Sequence, residues 1–446
     1  MKTLHTVSFS GLNIWDVKSF FLQEDVFNSK HPFVLFGEFL TKPDIEKIKI
    51  EDTKEYKILG ARSYGKGVFI NRTVKGNTLK MRTYQLAKEN HLFWCKVDTK
   101  NGAFGIVTKD LADGVASSNM TFAEIETSKA NPEFVQLLFR SKRVNKYMDG
   151  YVTGTTNRKY IKPNQLRDEI KIVLPSLREQ NQIVANYNVK IKLAKQQEKE
   201  AVQLELDIEN YLFKVLGIEK LEEKENKKGL QFVHFNSLDR WDILAKDLRT
   251  LNGLSTSKYE LKKLGDAFNF PSKSWKKKEY KKEFFKYIEL GAIDTNFGIT
   301  RVKNIEVKKA PSRATQQVST GDLIIGTTRP YLKRFAIVDN QFDGNICSSG
   351  FSVIEPNSNY NLNYLKEFLM SFYGIEQLKN RMTGGTYPAI TNNELKEILI
   401  PFPNPTIQNK IGNHITDLKE QIQELKNQAE QNQTKSIKEF EQEIFN

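Results

Sequence analysis

The sequence predicts an α/β (α+β) tandem-repeat protein, in which two similar domains with mixed or antiparallel sheets are separated by two long antiparallel coiled-coil helices. First, an ordered series of motifs in the first half of the 446-residue chain returns in the second half. Second, each repeat contains short β-branched and aromatic runs broken by Gly, Asn and Asp, which indicate strands. Third, after Pro175 and Pro403 the composition changes to Lys, Glu, Gln, Leu and Ala, which is typical of helix.

Nine motif pairs keep their order and a nearly constant separation along the chain, and this regularity indicates a duplication. The pairs are residues 12–16 with 238–242, 37–39 with 265–267, 56–61 with 287–292, 104–107 with 335–338, 113–114 with 343–344, 154–155 with 385–386, 164–166 with 393–395, Pro175 with Pro403, and 180–183 with 408–411. We therefore expect one structural unit used twice.

The changes in composition divide the chain into five segments. We expect a first domain over 1–175, a central long helix over 176–217, a linker over 218–235, a second domain over 236–403 and a C-terminal long helix over 404–446. Within the domains, residues 67–70, 105–107 and 323–325 are predicted strands. Residues 131–147 and their counterparts 362–378 are each predicted to form an amphipathic helix.

The two long helices carry weak, Gln-rich apolar seams. Residues 177–216 contain no Pro or Gly and would form a rod of roughly 60 Å, which Gly217 ends. The predicted seam residues are Tyr187, Ala194, Ala201, Ile208 and Val215 on the first helix, and Ile415, Leu418, Ile422 and Leu425 on the second. Such seams predict pairing of the two helices, antiparallel within one chain, with an intermolecular coiled coil as the alternative.

Composition limits the partners and the compartment. The formal charge of +14 and pI near 9.3 favour a polyanionic partner such as nucleic acid, although charge alone is equally compatible with solubility. Two cysteines exclude a disulfide framework and a four-cysteine zinc site. With no signal peptide and no apolar run long enough to span a membrane, we expect a cytoplasmic protein.

A search for catalytic motifs predicts a protein that is not an enzyme by itself and binds no cofactor or metal directly. Residues 60–67 have the glycine spacing and the lysine of a phosphate-binding loop, but Gly67 stands where a Ser or Thr hydroxyl holds magnesium. Asp44, Glu46 and Lys47 only loosely resemble a nuclease metal site. The signature motifs of amino-methyltransferases, dinucleotide-binding domains, zinc proteases and serine hydrolases do not occur in the sequence.

Basic and aromatic loop clusters remain as candidates for nucleic-acid contact. Lys can neutralise phosphates, and Arg can bind phosphate or guanine through two hydrogen bonds, whereas any single cluster could also be a solvated surface. The candidate DNA-binding residues are Arg62, Tyr64, Lys66, Arg72, Lys75, Arg158, Lys159, Lys276, Lys277, Lys278, Arg329, Lys333 and Arg334.

Taken together, these motifs resemble the specificity (S) subunits of type I restriction-modification systems over essentially the whole chain. The resemblance rests on the Trp-Asp pairs at Trp15 and Trp241, on the two Tyr-x-x-Leu-Gly-Ala segments, and on the Gly-Asp-Leu-Ile segment at Gly321. It also rests on the proline-ended segments 172–175 and 398–403, each of which leads into Gln-Asn-x-Ile and a helix. The first repeat departs from the pattern, because it has Leu-Phe-Trp at 92–94 where the second has Gly-Asp-Leu.

The resemblance implies a non-catalytic DNA-recognition subunit with two target recognition domains. Each domain would read one half of a split DNA sequence, and the helices would set the gap between the halves. Two methyltransferase subunits that bind S-adenosylmethionine, and nuclease/translocase subunits that use ATP and Mg, would be the partners. A subunit of a non-type-I (type IIB-like) system, a coiled-coil protein-interaction scaffold, and a nuclease or methyltransferase in its own right remain the alternatives.

Overall fold

The computed structural model describes residues 29–96, 102–151, 161–220, 253–271 and 273–445. The chain divides into two compact units: unit 1 comprises Met1–Glu198 and Asn427–Asn446, and unit 2 comprises Lys199–Lys426. The repeated motifs at 12–16, 154–155 and 238–242 lie outside the described residues.

The strands of unit 1 are β1 (Phe33–Leu35), β2 (Leu40–Thr41), β3 (Lys47–Lys49), β4 (Glu55–Ala61), β5 (Val68–Lys75), β6 (Thr83–Leu86), β7 (His91–Cys95), β8 (Phe104–Ile106), β9 (Val115–Ala116), β10 (Met120–Ile125) and β11 (Lys171–Val173). They form a five-stranded sheet in the order β3-β6-β9-β4-β5, a four-stranded sheet in the order β2-β10-β7-β8, and a β1-β11 pair. Both larger sheets are mainly antiparallel, and β4 and β9 form a parallel pair.

The strands of unit 2 are β12 (Leu261–Lys263), β13 (Phe284–Ile288), β14 (Ile293–Asp294), β15 (Gly298–Ile299), β16 (Lys303–Glu306), β17 (Ala314–Gln317), β18 (Leu323–Gly326), β19 (Phe335–Ile337), β20 (Ile346–Ser348), β21 (Phe351–Ile354) and β22 (Leu399–Pro401). They form sheets in the orders β16-β13-β20-β17 and β19-β18-β21, with the smaller pairs β12-β22 and β14-β15. Here too one parallel pair, β13 with β20, joins otherwise antiparallel strands.

Strand register repeats between the two units. Leu92 pairs with Ala123 in unit 1, and Leu323 pairs with Ile354 in unit 2. Each residue of the unit 2 pair follows its unit 1 counterpart by the same number of positions along the chain. The first and last strands of each domain pair in the same way, since one constant shift relates the β1-β11 register to the β12-β22 register. The predicted tandem-repeat fold is confirmed, and β7 is the counterpart of β18 although its sequence departs from the motif.

The expectation of one amphipathic helix over 131–147 is wrong, because the segment forms α1 (Pro132–Arg140) and α2 (Lys142–Asp149). Ser141 has extended backbone angles and interrupts the helix, and its hydroxyl accepts a hydrogen bond from Val144 N–H as the N-cap of α2. The counterpart over 362–378 is divided in the same way at Ser371. The remaining helices of the two domains are α3 (Pro163–Glu169), α5 (Leu264–Ala267), α6 (Leu362–Met370), α7 (Phe372–Asn380) and α8 (Asn392–Lys396).

The long helices are α4 (Leu177–Leu216), of 40 residues, and α9 (Pro405–Phe445), of 41 residues. In unit 1 the first half of α4 packs against the last half of α9, and Gln197 donates a hydrogen bond to Gln428 at 2.8 Å. In unit 2 the last half of α4 packs against the first half of α9, and Lys426 pairs with Glu205 at 2.7 Å. The pairing is therefore antiparallel within one chain, and Gly217 follows α4 with a φ of +72°.

None of the nine predicted seam residues is exposed. The structure buries four of them fully, namely Ala194, Ala201, Ile415 and Ile422, and half-buries the other five, namely Tyr187, Ile208, Val215, Leu418 and Leu425. The two buried alanines of α4 permit close approach of the helices, and the buried polar Gln197 is paired across the seam.

Each domain is tied to the start of its long helix by the same hydrogen bonds. In unit 1 the buried Gln180 side chain accepts from Asn131 N–H at 2.8 Å and donates to the carbonyl of Pro175 at 2.8 Å. Asn131 also donates to Asn181. In unit 2 the corresponding interactions join Asn361, Pro403, Gln408 and Asn409. The Gln-Asn pairs found in the sequence therefore fasten the loop before α1 or α6 to the first turn of the long helix.

We expect Gln180→Ala to destabilise unit 1 by about 1–3 kcal/mol, because it leaves Asn131 N–H and the Pro175 carbonyl unsatisfied. Urea unfolding followed by circular dichroism would measure the change. Gln182→Ala is the matched control, since Gln182 is exposed on the same turn and bonds only to Asn186 in the described structure. Equal effects of the two substitutions would contradict this role of Gln180.

Candidate nucleic-acid interface

The first predicted cluster lies on one element of unit 1, the β4–β5 hairpin (residues 55–75). Arg62, Tyr64 and Lys66 occupy the turn, whereas Arg72 and Lys75 lie on β5. All five side chains are exposed, and Tyr64 keeps 58% of its surface accessible. Strand β5 is the edge of its sheet, so the structure brings these five residues together on one outer border.

The turn of this hairpin is fixed against the body of unit 1. Tyr64 and Gly65 both have φ near +60°, and Gly65 N–H donates to the carbonyl of Gly102 at 2.8 Å. A Cβ on Gly65 would lie 2.3 Å from the carbonyl carbon of Phe139 at the end of α1, so only glycine fits there. The segment continues into β5, whereas a phosphate-binding loop leads into a helix.

The hairpin is strongly basic. Residues 55–75 contain one acidic residue, Glu55, and five basic residues, namely Lys57, Arg62, Lys66, Arg72 and Lys75. Within the described residues, none of the five side chains has a carboxylate within ion-pair distance. Arg62 does stack its guanidinium 5.0 Å from the ring centre of Phe69. The charges of the hairpin are therefore free to attract a polyanion.

The lysine run of unit 2 is exposed but partly paired. Lys276 lies 3.1 Å from Glu279, and Lys277 Nζ donates to the carbonyl of Lys308 at 2.8 Å. Lys278 is exposed in the same short turn. Trp275, just before the run, packs with its ring centre 4.8 Å from that of Phe285. The run is thus presented by a turn anchored on an aromatic cluster.

A buried ion pair between Lys273, which lies just before this turn in the chain, and Asp322 stabilises the turn. Asp322, fully buried, accepts from Lys273 Nζ at 2.9 Å and from Ser319 N–H at 2.8 Å. Burial alone would lower the pKa of Lys273, but the hydrogen bonds and charges of Asp322 and Glu355 outweigh it and raise that pKa. The Asp of the Gly-Asp-Leu-Ile segment therefore holds the residue that leads into the lysine run.

Arg329, Lys333 and Arg334 are all half-buried, and their surroundings differ. Arg329 has a φ of +50°, donates to the carbonyl of Thr386 at 2.9 Å and stacks 4.9 Å from the ring centre of Tyr387, which is 70% exposed. The backbone carbonyl of Arg334 accepts a hydrogen bond from Gly326 N–H at the end of β18. Arg158 and Lys159 lie outside the described residues.

Lys333 lies beside the long helices of unit 2. It lines a cavity of about 560 Å³ together with Glu367 and Lys419, which lie 2.7 Å apart. Burial is the largest cause that lowers the pKa of Lys419 there, and the charge of Lys333 acts in the same direction. The surroundings of Lys333 therefore differ from those of Arg329, which stacks on the exposed Tyr387.

Sequence reasoning missed Lys57, Asn71 and Tyr387 as candidate contact residues. The absence of acids between Lys57 and Lys75 could have revealed Lys57 and the strand that carries Asn71. Tyr387 is distant from Arg329 along the chain, and no sequence signal connects the two.

No cluster of three or more potential metal ligands occurs in the described part of the chain. Among the helices described, none combines the length and apolar character needed to cross a bilayer.

We expect Lys273→Met to destabilise unit 2 by about 3–5 kcal/mol, because it leaves the buried Asp322 carboxylate without its cation. Lys276→Met removes an exposed ion pair by the same chemical change and should cost at most about 1 kcal/mol. Thermal unfolding of the two variants would compare them. Similar losses of stability would contradict the anchoring role of the buried pair.

Comparisons with known proteins agree with this architecture. Residues 256–434, which cover most of unit 2, match the family described as type I restriction modification DNA specificity domain. The specificity subunit of the type I restriction enzyme HindI from Haemophilus influenzae is 33% identical over 120 residues, which is 26% of either chain. The match thus spans about a quarter of that relative.

A similar fold occurs in a chain from a solved structure on complex assembly and conformational transition of a type I restriction-modification system. The TM-score is 0.56 at 15% identity, and the likeness covers 93% of this chain and 97% of that one. This likeness extends over both units and the long helices, and it is a likeness of fold. Residues 256–434 therefore resemble a type I restriction modification DNA specificity domain, and the chain as a whole shares its fold with a chain from a type I restriction-modification system.

Proposed function

We propose that the protein is the DNA-recognition subunit of its complex, and that each unit reads one half of a bipartite duplex sequence. The repeated strand register carries this proposal, since it gives the chain two equivalent domains with different surface loops. Exposed basic side chains on both domains supply the attraction to phosphates. Different residues at corresponding positions would let the two domains read different sequences.

The long helices would set the gap between the half-sites. Half-sites one duplex turn apart are separated by about 34 Å, and helices of 40 and 41 residues can bridge such a distance. The hydrogen bonds of Gln180 and Gln408 support this role, because they fix the start of each helix to the domain that precedes it.

The outer surface of α4 would bind methyltransferase subunits. Four large apolar side chains of this helix are exposed: Val189 and Leu193 in unit 1, and Val202 and Leu206 in unit 2, with exposures of 44% to 69%. Within each unit the two residues are spaced i and i+4, so each pair forms its own short apolar stripe, which suits a protein partner. S-adenosylmethionine, ATP and Mg would bind to the methyltransferase and nuclease/translocase partners, and this chain would be non-catalytic.

Lengthening both helices by one heptad tests the spacing role. One heptad inserted after Glu198 and another after Lys426, where the two units meet along each helix, keep the seam in register. The insertion adds about 10 Å, or roughly three base pairs. We expect the assembled complex to select duplexes with unchanged outer bases and a longer gap.

Selection from a randomised duplex library would show the outcome, with an insertion into α4 alone as the control that disrupts the pairing. Changed outer bases with a fixed gap would refute the division of labour between domains and helices.

A double substitution, Val202→Lys with Leu206→Lys, tests the docking surface. Charges on this face should prevent methyltransferase subunits from co-purifying and should leave the unfolding midpoint unchanged, because both side chains are exposed. Gln421→Lys, at an exposed polar position of α9, is the control and should retain the partners. Full assembly of the double variant would show that the partners bind elsewhere.

A further inference from the structure

The two units differ in the hairpin that forms the border of the larger sheet, and this difference has a consequence for recognition. We propose that the β4–β5 hairpin of unit 1 lies in the DNA major groove, where Asn71 and Arg72 contact base edges, and that the corresponding strands of unit 2 do not. The inference rests on the proposed function and specifies its mode in one unit.

The shape of the hairpin suits the major groove. Its strands have seven and eight residues, and a two-stranded antiparallel β-ribbon is an element that the major groove admits. Strand β4 joins the rest of the sheet through a parallel bridge at Ile58, so most of β4 has no paired strand on the side opposite β5 in the described structure. Residues 70–73 on β5 are all exposed.

A β-bulge lies at the centre of this exposed stretch. Ile58 pairs with Arg72 and Leu59 pairs with Ile70, so Asn71 is the extra residue. Bulges redirect side chains and increase local twist. Asn and Arg are also the residue types that bind adenine and guanine, respectively, through two hydrogen bonds in the major groove. The bulge therefore presents two base-reading residue types side by side.

The charges around the bulge favour DNA over a protein partner at this edge. The five basic residues of the hairpin, which have no acidic partner in the described structure, lie at or around it, and Glu55 at the start of β4 is the one acid of the hairpin. A free strand edge could also accept a strand from another protein, but a row of cations opposes pairing with a neutral strand. Duplex DNA satisfies both the charges and the shape.

The corresponding element of unit 2 lacks these properties. Its edge strand, β16, has four residues, and residues 286–306, the counterpart of 55–75, contain three acids and three basic residues. Two of the three basic residues are paired, since Lys303 lies 2.7 Å and Arg301 lies 4.0 Å from Glu289. The two domains share a fold, but this border has a large excess of basic residues in unit 1 alone.

Replacing purines by their 7-deaza analogues tests the proposal, because the analogue lacks only the N7 acceptor of the major groove. The assembled complex would be titrated with its selected duplex and with duplexes that carry one analogue each. We expect one half-site to contain a purine whose analogue weakens binding by the wild-type complex. Arg72→Ala or Asn71→Ala should weaken binding to the unmodified duplex by about 5- to 150-fold.

The decisive result is that the loss of affinity caused by the substitution and the loss caused by the base analogue do not add. In the Arg72→Ala complex the sensitive guanine analogue should have no further effect, and the same should hold for an adenine analogue with Asn71→Ala. Lys303→Ala, on the corresponding strand of unit 2, is the matched control and should leave affinity and analogue sensitivity unchanged. The exposed positions of Asn71 and Arg72 predict normal unfolding midpoints, which circular dichroism would verify.

Other outcomes overturn the inference. Additive losses would show that neither side chain contacts the tested bases, and normal DNA binding with lost methyltransferase subunits would identify a protein-docking edge. Insensitivity of both half-sites to every analogue would exclude the major groove. A wild-type complex that binds no duplex would refute the proposed function itself, whereas the preceding results leave that function intact.

Discussion

The pairing of the two long helices is the constraint on which both units depend. Each unit is completed by one half of α4 and one half of α9, so each repeat's helix contributes to both units. Glu441, near the end of α9, accepts hydrogen bonds from Ser141 Oγ and Lys142 N–H at the start of α2. Glu209, near the end of α4, accepts from Phe372 N–H at the start of α7. A carboxylate thus caps the same helix N-terminus in each unit, where it is favoured by the backbone dipoles.

Because each long helix contributes to both units, the apolar seams between the two helices can be weak. Few large apolar residues line the helix pair, yet the helix ends also pack into the cores of the two domains, as Phe440 and Ile444 do in unit 1. Leu212 and Leu216 do the same in unit 2. The pair is therefore stabilised by domain packing in addition to its own seam, and polar residues such as Gln197 are tolerated within it.

Sequence periodicity and the duplication predicted the fold class, the α4 and α9 segments and the separation of strand-rich from helical regions. They missed the division at Ser141, because the apolar pattern continues across the break and only the serine cap indicates it. Charge composition pointed to the hairpin cluster. Whether a basic side chain can contact a partner depends on its exposure and on whether it is paired within the protein. Lys276 is paired with Glu279 and Lys333 faces a cavity, whereas Arg72 has no acidic partner in the described residues. Such distinctions depend on tertiary contacts, which local sequence does not encode.

The central claim is that two equivalent domains on one chain read two halves of one DNA sequence. Mapping N6-methyladenine across the genome of the source cells, with and without this gene, tests it most directly. The account predicts a methylated motif that depends on this chain and consists of two defined blocks separated by a fixed gap of unspecified bases. A continuous motif, or a methylation pattern unchanged by deletion of the gene, would contradict it.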